Sequence, residues 1–345
     1  MEDSKKIRVV LNGFGRIGRA FFRLACAEPR IEIVAINDLA EKENLQYLLR
    51  YDTAYSKCSV ECEAIVRDLQ FFNEPDPHYL PWKDLSVDVV VEATGVFNTY
   101  QKANAHLEAG ARRVVLTAPV KEEKNTSHSI PDYGIKGKTI LMGLNDEDLR
   151  DCQISANGSC TTNAVSPVLK ILDKTIGVEK ALLTTIHSYT ATQKMVDSPS
   201  KKDYRRGRAG AQNIIPTSTG AAIATTVVLK KLADKFDGLA LRVPTVLGSM
   251  VDLTFVAKRE TTREEINNVL KQASQEKVWQ GIFTTTEEPL VSSDIIGNPF
   301  ASIADLSLTK VVGGNLVKVL IWYDNEMGYA QTLIQHVLRA GELIS

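Results

Sequence analysis

The sequence has few cysteines, almost no net charge and no long apolar run. Its five cysteines are an odd number without the spacing of a zinc site or a disulfide framework, so we expect reduced thiols and no metal. The net charge of −1 gives no overall field that attracts nucleic acid or an anionic membrane. No stretch approaches the roughly 18 apolar residues of a membrane helix, and no signal-peptide pattern is present. We therefore expect a cytoplasmic protein with no membrane partner.

One basic cluster stands out against this balanced charge. Lys201, Lys202, Arg205, Arg206 and Arg208 lie within eight positions. A nucleic-acid patch would need aromatic platforms or a basic surplus elsewhere, and the sequence has neither. A solvated surface is one alternative, and contacts to phosphate or to another subunit are the favoured one.

The length of 345 residues indicates two domains, and the strand pattern changes between them. In the first part, short apolar strands alternate with helical patterns, which predicts an α/β domain with a doubly wound parallel Rossmann sheet. In the second, longer strands rich in β-branched residues predict an α+β domain with a mainly antiparallel sheet. The predicted strands are residues 7–11, 31–37, 87–92, 114–117 and 139–142, then 180–187, 239–246, 249–259 and 316–324.

Helices are predicted over residues 16–27, 213–233 and 262–276, with a final helix from about residue 326. Thr262 and Glu265 have the spacing of a capping box. Residues 188–212 form a long polar stretch of the kind that is usually functional or interfacial.

A glycine-rich motif follows the first strand and opens the first helix. In this context it predicts a turn whose backbone approaches a pyrophosphate at the helix N-terminus. Asp38 lies 20 residues beyond the last glycine. There its carboxylate can accept hydrogen bonds from the ribose hydroxyls, and its charge repels a 2′-phosphate. NAD is therefore favoured over NADP. The motif consists of Gly13, Phe14, Gly15, Arg16, Ile17 and Gly18.

Polar residues end two further strands of the first sheet. Thr94 and Gly95 follow one strand and Thr117 follows the next. Ligands bind at the carboxyl ends of the strands in open α/β sheets, so these residues are candidates for the cofactor groove. The alternative is that they cap turns or helices.

Cys160 stands where an apolar helical pattern begins. A thiol at a helix N-terminus faces unpaired amides and the positive end of the helix dipole, which favour the nucleophilic thiolate. His187 closes the next strand, where an imidazole can accept the thiol proton. The other four histidines, at positions 78, 106, 128 and 336, are expected to be solvated side chains.

Several motifs together give the sequence a specific resemblance. Along nearly its whole length, the chain resembles the phosphorylating glyceraldehyde-3-phosphate dehydrogenase family. The matching segments are residues 12–19, 159–163, 187–193, 213–222, 241–244 and 322–329.

The resemblance implies a role for each matched residue and a division into three parts. Cys160 matches the nucleophile and His187 the base. Asn325 matches the residue that orients the nicotinamide carboxamide, with Tyr329 nearby. Residues 1–158 would bind NAD, residues 159–325 would be catalytic, and residues 326–345 would form a helix packed on the NAD-binding domain. The implied phosphate ligands are Ser159, Thr161, Thr219 and Gly220 for inorganic phosphate, and Thr190, Arg206 and Arg242 for the substrate phosphate.

The implied reaction is NAD-dependent oxidation of glyceraldehyde 3-phosphate through a cysteine thioester that inorganic phosphate cleaves. The implied assembly is a homotetramer in which residues 188–212 reach a neighbouring cofactor site. Two alternatives stay open: an erythrose-4-phosphate dehydrogenase on the same scaffold, and an NAD-binding regulator, adhesin or RNA partner.

The sequence departs from the family pattern beside the nucleophile. A second cysteine usually follows four residues later, and here that position is Ala164. We expect the chemistry to be retained, and we expect no disulfide between Cys160 and another cysteine of the same chain. Residues 60–73 are also shortened relative to the family pattern, and we expect a short surface hairpin there.

Overall fold

The computed structural model describes residues 6–120, 136–201 and 203–344, so His128 and Lys202 lie outside the described residues. The chain divides into two compact units. The first contains Met1–Gly158 and Thr332–Ser345, and the second contains Ser159–Gln331.

The first unit is built on a seven-stranded sheet in the order β3-β2-β1-β4-β5-β7-β6. Every strand pair in it is parallel, which confirms the predicted doubly wound sheet. The strands are β1 (Ile7–Asn12), β2 (Ile31–Asn37), β3 (Gln70–Phe72), β4 (Val89–Glu92), β5 (Arg113–Leu116), β6 (Gly137–Thr139) and β7 (Ile154–Ala156). The helices are α1 (Arg16–Ala25), α2 (Lys42–Arg50), α3 (Val60–Asp68) and α4 (Tyr100–Glu108).

The end of the chain contributes to the core of this first unit. Leu333 and Val337 are fully buried in the same apolar cluster as Val9 and Leu11 of β1. Burying such a side chain contributes about 1.5–3 kcal/mol. The carboxyl-terminal residues therefore stabilise the unit that contains the glycine motif.

The second unit contains a mixed sheet in the order β12-β13-β14-β11-β8-β10-β9. Four of its six strand pairs are antiparallel, as predicted. The strands are β8 (Val178–Ser188), β9 (Ile215–Ser218), β10 (Phe236–Val243), β11 (Ser249–Ala257), β12 (Phe283–Thr286), β13 (Ser302–Val312) and β14 (Leu316–Tyr323). The helices are α5 (Cys160–Thr175), α6 (Ala221–Val228), α7 (Arg263–Ala273) and α8 (Met327–Glu342), the last of which continues past the unit boundary.

Two predicted elements were wrong. Residues 213–233 are not one helix: β9 precedes α6, because Pro216 has no amide to donate and fits an edge strand that pairs only with β10. Residues 60–73 are not a hairpin. Ser59 accepts the Cys62 amide at 3.2 Å and caps α3, whose first turn carries Glu61 and Glu63.

Two of the histidines predicted to be solvated are fully buried. The Nε2 of His106 lies 3.1 Å from the Glu92 carboxylate. His336 contacts the Ser155 hydroxyl at 2.8 Å and the Asn157 side-chain oxygen at 3.0 Å. Burial lowers the pKa of His336 to about 3. Both side chains exchange water for fixed hydrogen bonds, which no local sequence pattern signals.

The buried neutral His336 makes stability depend on pH. The unfolded chain takes up a proton below pH ~6.5, whereas the folded chain resists protonation down to about pH 3. The free energy of unfolding should therefore fall as the pH falls, by about 1.4 kcal/mol per pH unit for this group. Urea unfolding at several pH values between 6.5 and 5 gives the slope of the free energy of unfolding against pH. In His336→Asn this slope should be smaller by the contribution of about one proton. Replacing the exposed His78 must not reduce that slope, and an unchanged slope in His336→Asn would contradict the assignment.

No helix among the described residues is long and apolar enough to cross a membrane.

Candidate active site

The glycine motif forms a tight backbone turn between β1 and α1. Gly13 has φ +97°, and a Cβ there would lie 2.7 Å from the backbone of Ala93 and Thr94. A Cβ on Gly18 would lie 2.2 Å from the Gly13 carbonyl oxygen. By contrast, nothing lies within 4 Å of a Cβ built on Gly15, the residue before α1. The turn therefore leaves open space at a helix N-terminus, which fits a pyrophosphate.

Asp38 holds the glycine turn from the end of β2. Its Oδ2 accepts the Phe14 amide at 2.7 Å and its Oδ1 accepts the Ala40 amide at 2.9 Å. A carboxylate offers about four acceptor positions, so two remain for a ligand's hydroxyl groups. These contacts fit a ribose diol beside the turn.

The remaining members of the motif have structural contacts. The Phe14 ring is fully buried and packs edge-on against Phe22, and Ile17 packs on the same apolar cluster. Arg16 pairs with Asp52 at 2.8 Å. For Phe14 and Ile17, the side chains thus form the core while the backbone forms the turn.

Thr94, Gly95 and Thr117 lie where β4 and β5 end. The Thr94 amide donates to the Glu92 carboxylate at 2.8 Å, and its hydroxyl contacts the same carboxylate oxygen. The Thr117 hydroxyl donates to the Glu92 carbonyl at 3.0 Å. Gly95 has φ +72° and open space around it. Both threonines therefore organise the strand ends next to Gly13.

Sequence reasoning missed the buried group behind these strand ends. The Glu92 carboxylate also accepts Asn12 Nδ2 at 2.5 Å and contacts His106 Nε2 at 3.1 Å. Trp82 Nε1 donates to His106 Nδ1 at 3.1 Å, so the imidazole proton is on Nε2 and points at Glu92. Because the carboxylate is fully satisfied, it can stay buried. Its only sequence signal was an acidic residue at the end of an apolar strand.

Cys160 is the first residue of α5. Ser159 caps this helix by accepting the Thr162 amide at 3.1 Å, and its hydroxyl lies 2.7 Å from the Thr162 hydroxyl. The thiol is partly buried, and its sulfur lies 3.4 Å from His187 Nε2. The structure thus brings together the predicted nucleophile and base.

Arg242 is the third member of this cluster. Its register partner across the parallel β8–β10 pair is His187. Arg242 Nη1 lies 2.6 Å from His187 Nδ1 and donates to the Ser188 carbonyl at 3.2 Å. That carbonyl is also 2.8 Å from Nδ1 and can accept the Nδ1 proton. The two contacts of Nδ1 require different tautomers, because Arg242 can only donate and the Ser188 carbonyl can only accept. In the tautomer with its proton on Nδ1, Nε2 is an unprotonated acceptor facing the thiol.

Burial sets the charge states of this cluster. Loss of hydration raises the pKa of the Cys160 thiol, although the Arg242 charge and hydrogen bonds from Thr161 oppose the rise. Burial, followed by the Arg242 charge, lowers the pKa of His187 to about 3. The sequence predicted a thiolate favoured by the helix N-terminus, but desolvation is the larger effect. The site at rest therefore holds a neutral thiol beside a neutral imidazole, which can accept a proton.

A network of three hydroxyl groups, centred on Tyr323, supports the reactive pair. Tyr323 OH lies 3.0 Å from the Thr161 hydroxyl and 2.7 Å from the Thr185 hydroxyl. Its ring packs edge-on against His187, with centroids 5.9 Å apart. Sequence reasoning missed Tyr323, whose only signal was its position at a strand end.

Asn325 is fixed through its side-chain oxygen. It accepts the Ser188 hydroxyl at 2.8 Å and the Ser249 hydroxyl at 3.0 Å. Asp324 accepts the Met327 amide at 3.0 Å and so fixes the turn into α8, in which Tyr329 is buried. With its oxygen held, Asn325 directs its amide nitrogen away from these hydroxyls.

Arg242, Arg206 and Thr190 are the residues expected to bind the substrate phosphate. Burial is the main cause that lowers the pKa of Arg242, and the Arg206 charge adds to this lowering. Thr190 is bound through its amide to the Gln193 side-chain oxygen at 2.9 Å. Among the described residues, Arg242 Nε and Gln193 Nε2 are buried donors without an acceptor. Buried donors of this kind fit an anionic ligand.

Thr219 and Gly220 begin α6 and form a separate group. The Thr219 hydroxyl accepts the Ala221 amide at 3.2 Å, and nothing lies within 4 Å of a Cβ built on Gly220. No hydrogen bond within the described ranges joins either residue to Cys160.

The basic cluster is partly neutralised by neighbouring acids. Arg205 pairs with Asp203 at 3.1 Å and Arg208 with Asp197 at 2.8 Å. Within the described part of the chain, no three His, Cys, Asp or Glu side chains are placed to hold a metal ion.

Comparison with known proteins gives two family matches. Residues 7–100 match the NAD-binding domain of glyceraldehyde 3-phosphate dehydrogenase, and residues 159–325 match its C-terminal domain.

Similar proteins cover nearly the whole chain. A glyceraldehyde-3-phosphate dehydrogenase of Thermotoga maritima is 46% identical over 337 residues, which are 95% of this chain and 97% of the relative. Glyceraldehyde-3-phosphate dehydrogenase 2 of Bacillus subtilis is 44% identical over 96% of this chain and 97% of its own length. Glyceraldehyde-3-phosphate dehydrogenase B of Aspergillus oryzae is 41% identical over 95% of this chain and 96% of its own length.

Proposed function

Because the chain belongs to the glyceraldehyde-3-phosphate dehydrogenase family, we propose that it converts D-glyceraldehyde 3-phosphate to 1,3-bisphosphoglycerate with NAD and inorganic phosphate. The observation that carries this function is the 3.4 Å contact between Cys160 Sγ and His187 Nε2 at the start of α5. A thiol beside a neutral imidazole can form and release a thioester.

The cofactor would be held by the glycine turn, Asp38 and the ends of β4 and β5. When bound, NAD supplies the hydride acceptor for the oxidation. Asp38 would receive the ribose hydroxyls, and Asn325 would orient the nicotinamide carboxamide through its amide nitrogen. The support is the open space at Gly15 and the fixed orientation of Asn325.

Cys160 would attack the aldehyde carbon while His187 Nε2 takes the thiol proton. The hemiacetal oxygen would be stabilised by the Cys160 amide and by His187. His187 would pass the thiol proton to the hemiacetal oxygen and, once neutral again, remove the hydroxyl proton as the carbon is oxidised, leaving an acyl thioester on Cys160. The low pKa of His187 keeps it unprotonated over the working pH range, as a base requires.

Two sets of residues would bind the phosphates. Thr190, Arg206 and Arg242 would bind the phosphate of the substrate, and the unpaired Arg242 Nε supports this assignment. Ser159, Thr161, Thr219 and Gly220 would bind the inorganic phosphate that cleaves the thioester. Ser159 and Thr161 flank the nucleophile, and Gly220 leaves open space at the start of α6.

The function can be tested by NADH formation with each aldehyde phosphate. Turnover with glyceraldehyde 3-phosphate should require inorganic phosphate and exceed turnover with erythrose 4-phosphate. Phosphate-independent turnover of erythrose 4-phosphate would instead support the erythrose-4-phosphate dehydrogenase. No turnover with either aldehyde would support a regulatory or binding role.

Asp38 should determine the choice between NAD and NADP. Asp38→Asn keeps an acceptor for the Phe14 amide but removes the charge that opposes a 2′-phosphate. Like charges in contact cost several kcal/mol, so we expect the ratio of kcat/KM for NAD to that for NADP to fall by about 10–100-fold. Calorimetric titration with each nucleotide gives the same comparison for binding. The exposed Asp84→Asn is the control, and an unchanged ratio in Asp38→Asn would contradict the assignment.

A homo-oligomer, specifically a homotetramer, is the assembly we propose. Leu182, Leu239 and Leu316 of the second sheet are 63%, 44% and 43% exposed, and Ile223 and Val227 of α6 are 71% and 52% exposed. An apolar surface of this kind favours association. Residues 188–212 would reach the neighbouring subunit's cofactor. Sedimentation equilibrium would measure the assembly, and a monomer at micromolar concentration would contradict it.

Cellular location and domain roles complete the proposal. The five free thiols are typical of the cytoplasm, where we place the protein.

Residues 1–158 would bind NAD, residues 159–325 would carry out the chemistry, and residues 326–345 would pack on the NAD-binding domain. The burial of Leu333 and Val337 beside β1 supports the last assignment.

A further inference from the structure

Three of the five cysteines meet at one place in the first unit, away from Cys160. Cys26 ends α1, Cys58 precedes α3 and Cys62 lies in the first turn of α3. The sulfurs of Cys26 and Cys62 are 3.3 Å apart, and Cys62 is also hydrogen-bonded to Cys58. We refer to Cys26, Cys58 and Cys62 as the thiol cluster. Residues distant in sequence thus form a contact between thiols that has no part in the proposed reaction.

The members of the thiol cluster differ in exposure. Cys58 and Cys62 are buried, whereas Cys26 is partly exposed. Hydrogen bonding to Cys62 raises the pKa of Cys58, and hydrogen bonding to Cys26 raises the pKa of Cys62 to about 12. The two inner sulfurs therefore remain thiols at neutral pH. An oxidant from solvent reaches Cys26 first and finds Cys62 directly behind it.

Metal binding is not the chemistry that this geometry supports. Among the described residues, no three His, Cys, Asp or Glu side chains, those of the thiol cluster included, are placed to hold a metal ion. Cys152 does not join the cluster either; its sulfur lies 3.8 Å from the Asp148 carbonyl. Two sulfurs in contact, one of them accessible, instead fit thiol oxidation. An S–S bond of about 2.05 Å requires them to approach by roughly 1.3 Å, which side-chain rotation at the end of a helix can provide.

We propose that Cys26 and Cys62 form a reversible disulfide when the protein meets a hydroperoxide, independently of the dehydrogenase reaction. The Cys26 sulfur attacks the hydroperoxide, the O–O bond breaks, and the thiol proton leaves with the alcohol. Cys26 is then a sulfenic acid. The Cys62 sulfur attacks it, the S–S bond forms, the S–O bond breaks, and the hydroxyl leaves as water with the Cys62 proton. Two thiols lose two electrons while the hydroperoxide is reduced to alcohol and water.

The disulfide would tie the helix of the glycine motif to α3. At its other end, α1 is already attached to the intervening segment by the Arg16–Asp52 ion pair at 2.8 Å. Within α1, Arg23 donates to the Ser56 carbonyl at 3.0 Å and to the Leu49 carbonyl at 2.6 Å. The covalent bond would close a long loop around these contacts and so restrict the unfolded chain. Oxidation should therefore stabilise the first unit.

The test uses the full-length Cys160→Ala variant, so that oxidation at the nucleophile does not interfere. The reduced protein is treated with tert-butyl hydroperoxide, alkylated and digested without reduction. Trypsin leaves Cys58 and Cys62 in one peptide, residues 58–67, whereas a glutamate-specific protease cuts after Glu61 and separates them. We expect a disulfide-linked pair of peptides that contain Cys26 and Cys62, and its loss after treatment with dithiothreitol. The thermal midpoint should rise by about 5–10 °C on oxidation.

Matched variants assign the bond. In the same background, Cys26→Ser should abolish both the linked peptides and the rise in midpoint, whereas Cys58→Ser should retain both. Cys26 is partly exposed, so its replacement by serine should leave the fold intact, and circular dichroism of the reduced variant verifies this. A Cys58–Cys62 disulfide with free Cys26, or sulfinic acid at Cys26 without a disulfide, would overturn the proposal. A Cys26–Cys62 bond without a change in midpoint would overturn its stabilising role.

Discussion

Cys160→Ala should form no measurable NADH from glyceraldehyde 3-phosphate, a loss of at least about 10⁴-fold. Alanine removes the sulfur that is proposed to bond to the aldehyde carbon, and no other cysteine is hydrogen-bonded to His187 among the described residues. Without a thioester, inorganic phosphate has no activated acyl group to attack. Because the glycine turn and Asp38 are unchanged, calorimetry should show NAD binding within about twofold of the wild type.

The control for this prediction is a substitution at a second cysteine. Cys26→Ser removes a partly exposed sulfur outside the site and should leave kcat unchanged. Rapid quenching with a radiolabelled substrate should trap an acyl-enzyme in that control and none in Cys160→Ala. Residual turnover above 1% of the wild type in Cys160→Ala would show that Cys160 is not the nucleophile.

His187→Asn should lower kcat by about 10²–10⁴-fold. In the wild type, Nε2 lies 3.4 Å from the sulfur. In the proposed reaction it takes the thiol proton, so attack does not require a preformed thiolate. Asparagine cannot accept that proton, and loss of hydration holds the pKa of Cys160 above its ordinary value. The residual rate should therefore rise about tenfold per pH unit between pH 7 and 9. The wild-type rate should change far less over this range, because His187 is already neutral.

Stopped-flow measurement of the first turnover separates this effect from product release. The burst of NADH should disappear in His187→Asn and persist in His78→Asn, which replaces an exposed imidazole. A residual rate that does not depend on pH would show that His187 acts only by orienting the substrate. In that case, a group other than His187 would have to accept the proton of the Cys160 thiol.

The sequence predicted those parts of the fold that depend on short-range patterns. The strands around β1, β2 and β8 were placed closely, because their apolar runs are bounded by glycine or polar residues. The contact between Cys160 and His187 was also predicted, although spacing alone carried little weight. Recognising the family motifs made the pairing specific.

Other features depend on contacts between distant residues. Glu92 is buried because Asn12 and His106, far away in sequence, supply its hydrogen bonds. The neutral site at rest also depends on burial, which opposes the helix N-terminus that the sequence makes visible. Residues 213–233 were misassigned because an apolar run with threonine suits a strand and a helix equally until β10 supplies a partner.

The two kinds of glycine in the turn after β1 should diverge differently in evolution. Gly13 and Gly18 are held by backbone contacts inside the protein, so a descendant that no longer used the nucleotide would still need them to fold. Gly15 has no such neighbour, and only a ligand would restrict what stands there. Substitution of Gly15 with Gly13 and Gly18 retained would therefore indicate a lineage that has the same fold but no longer binds the nucleotide.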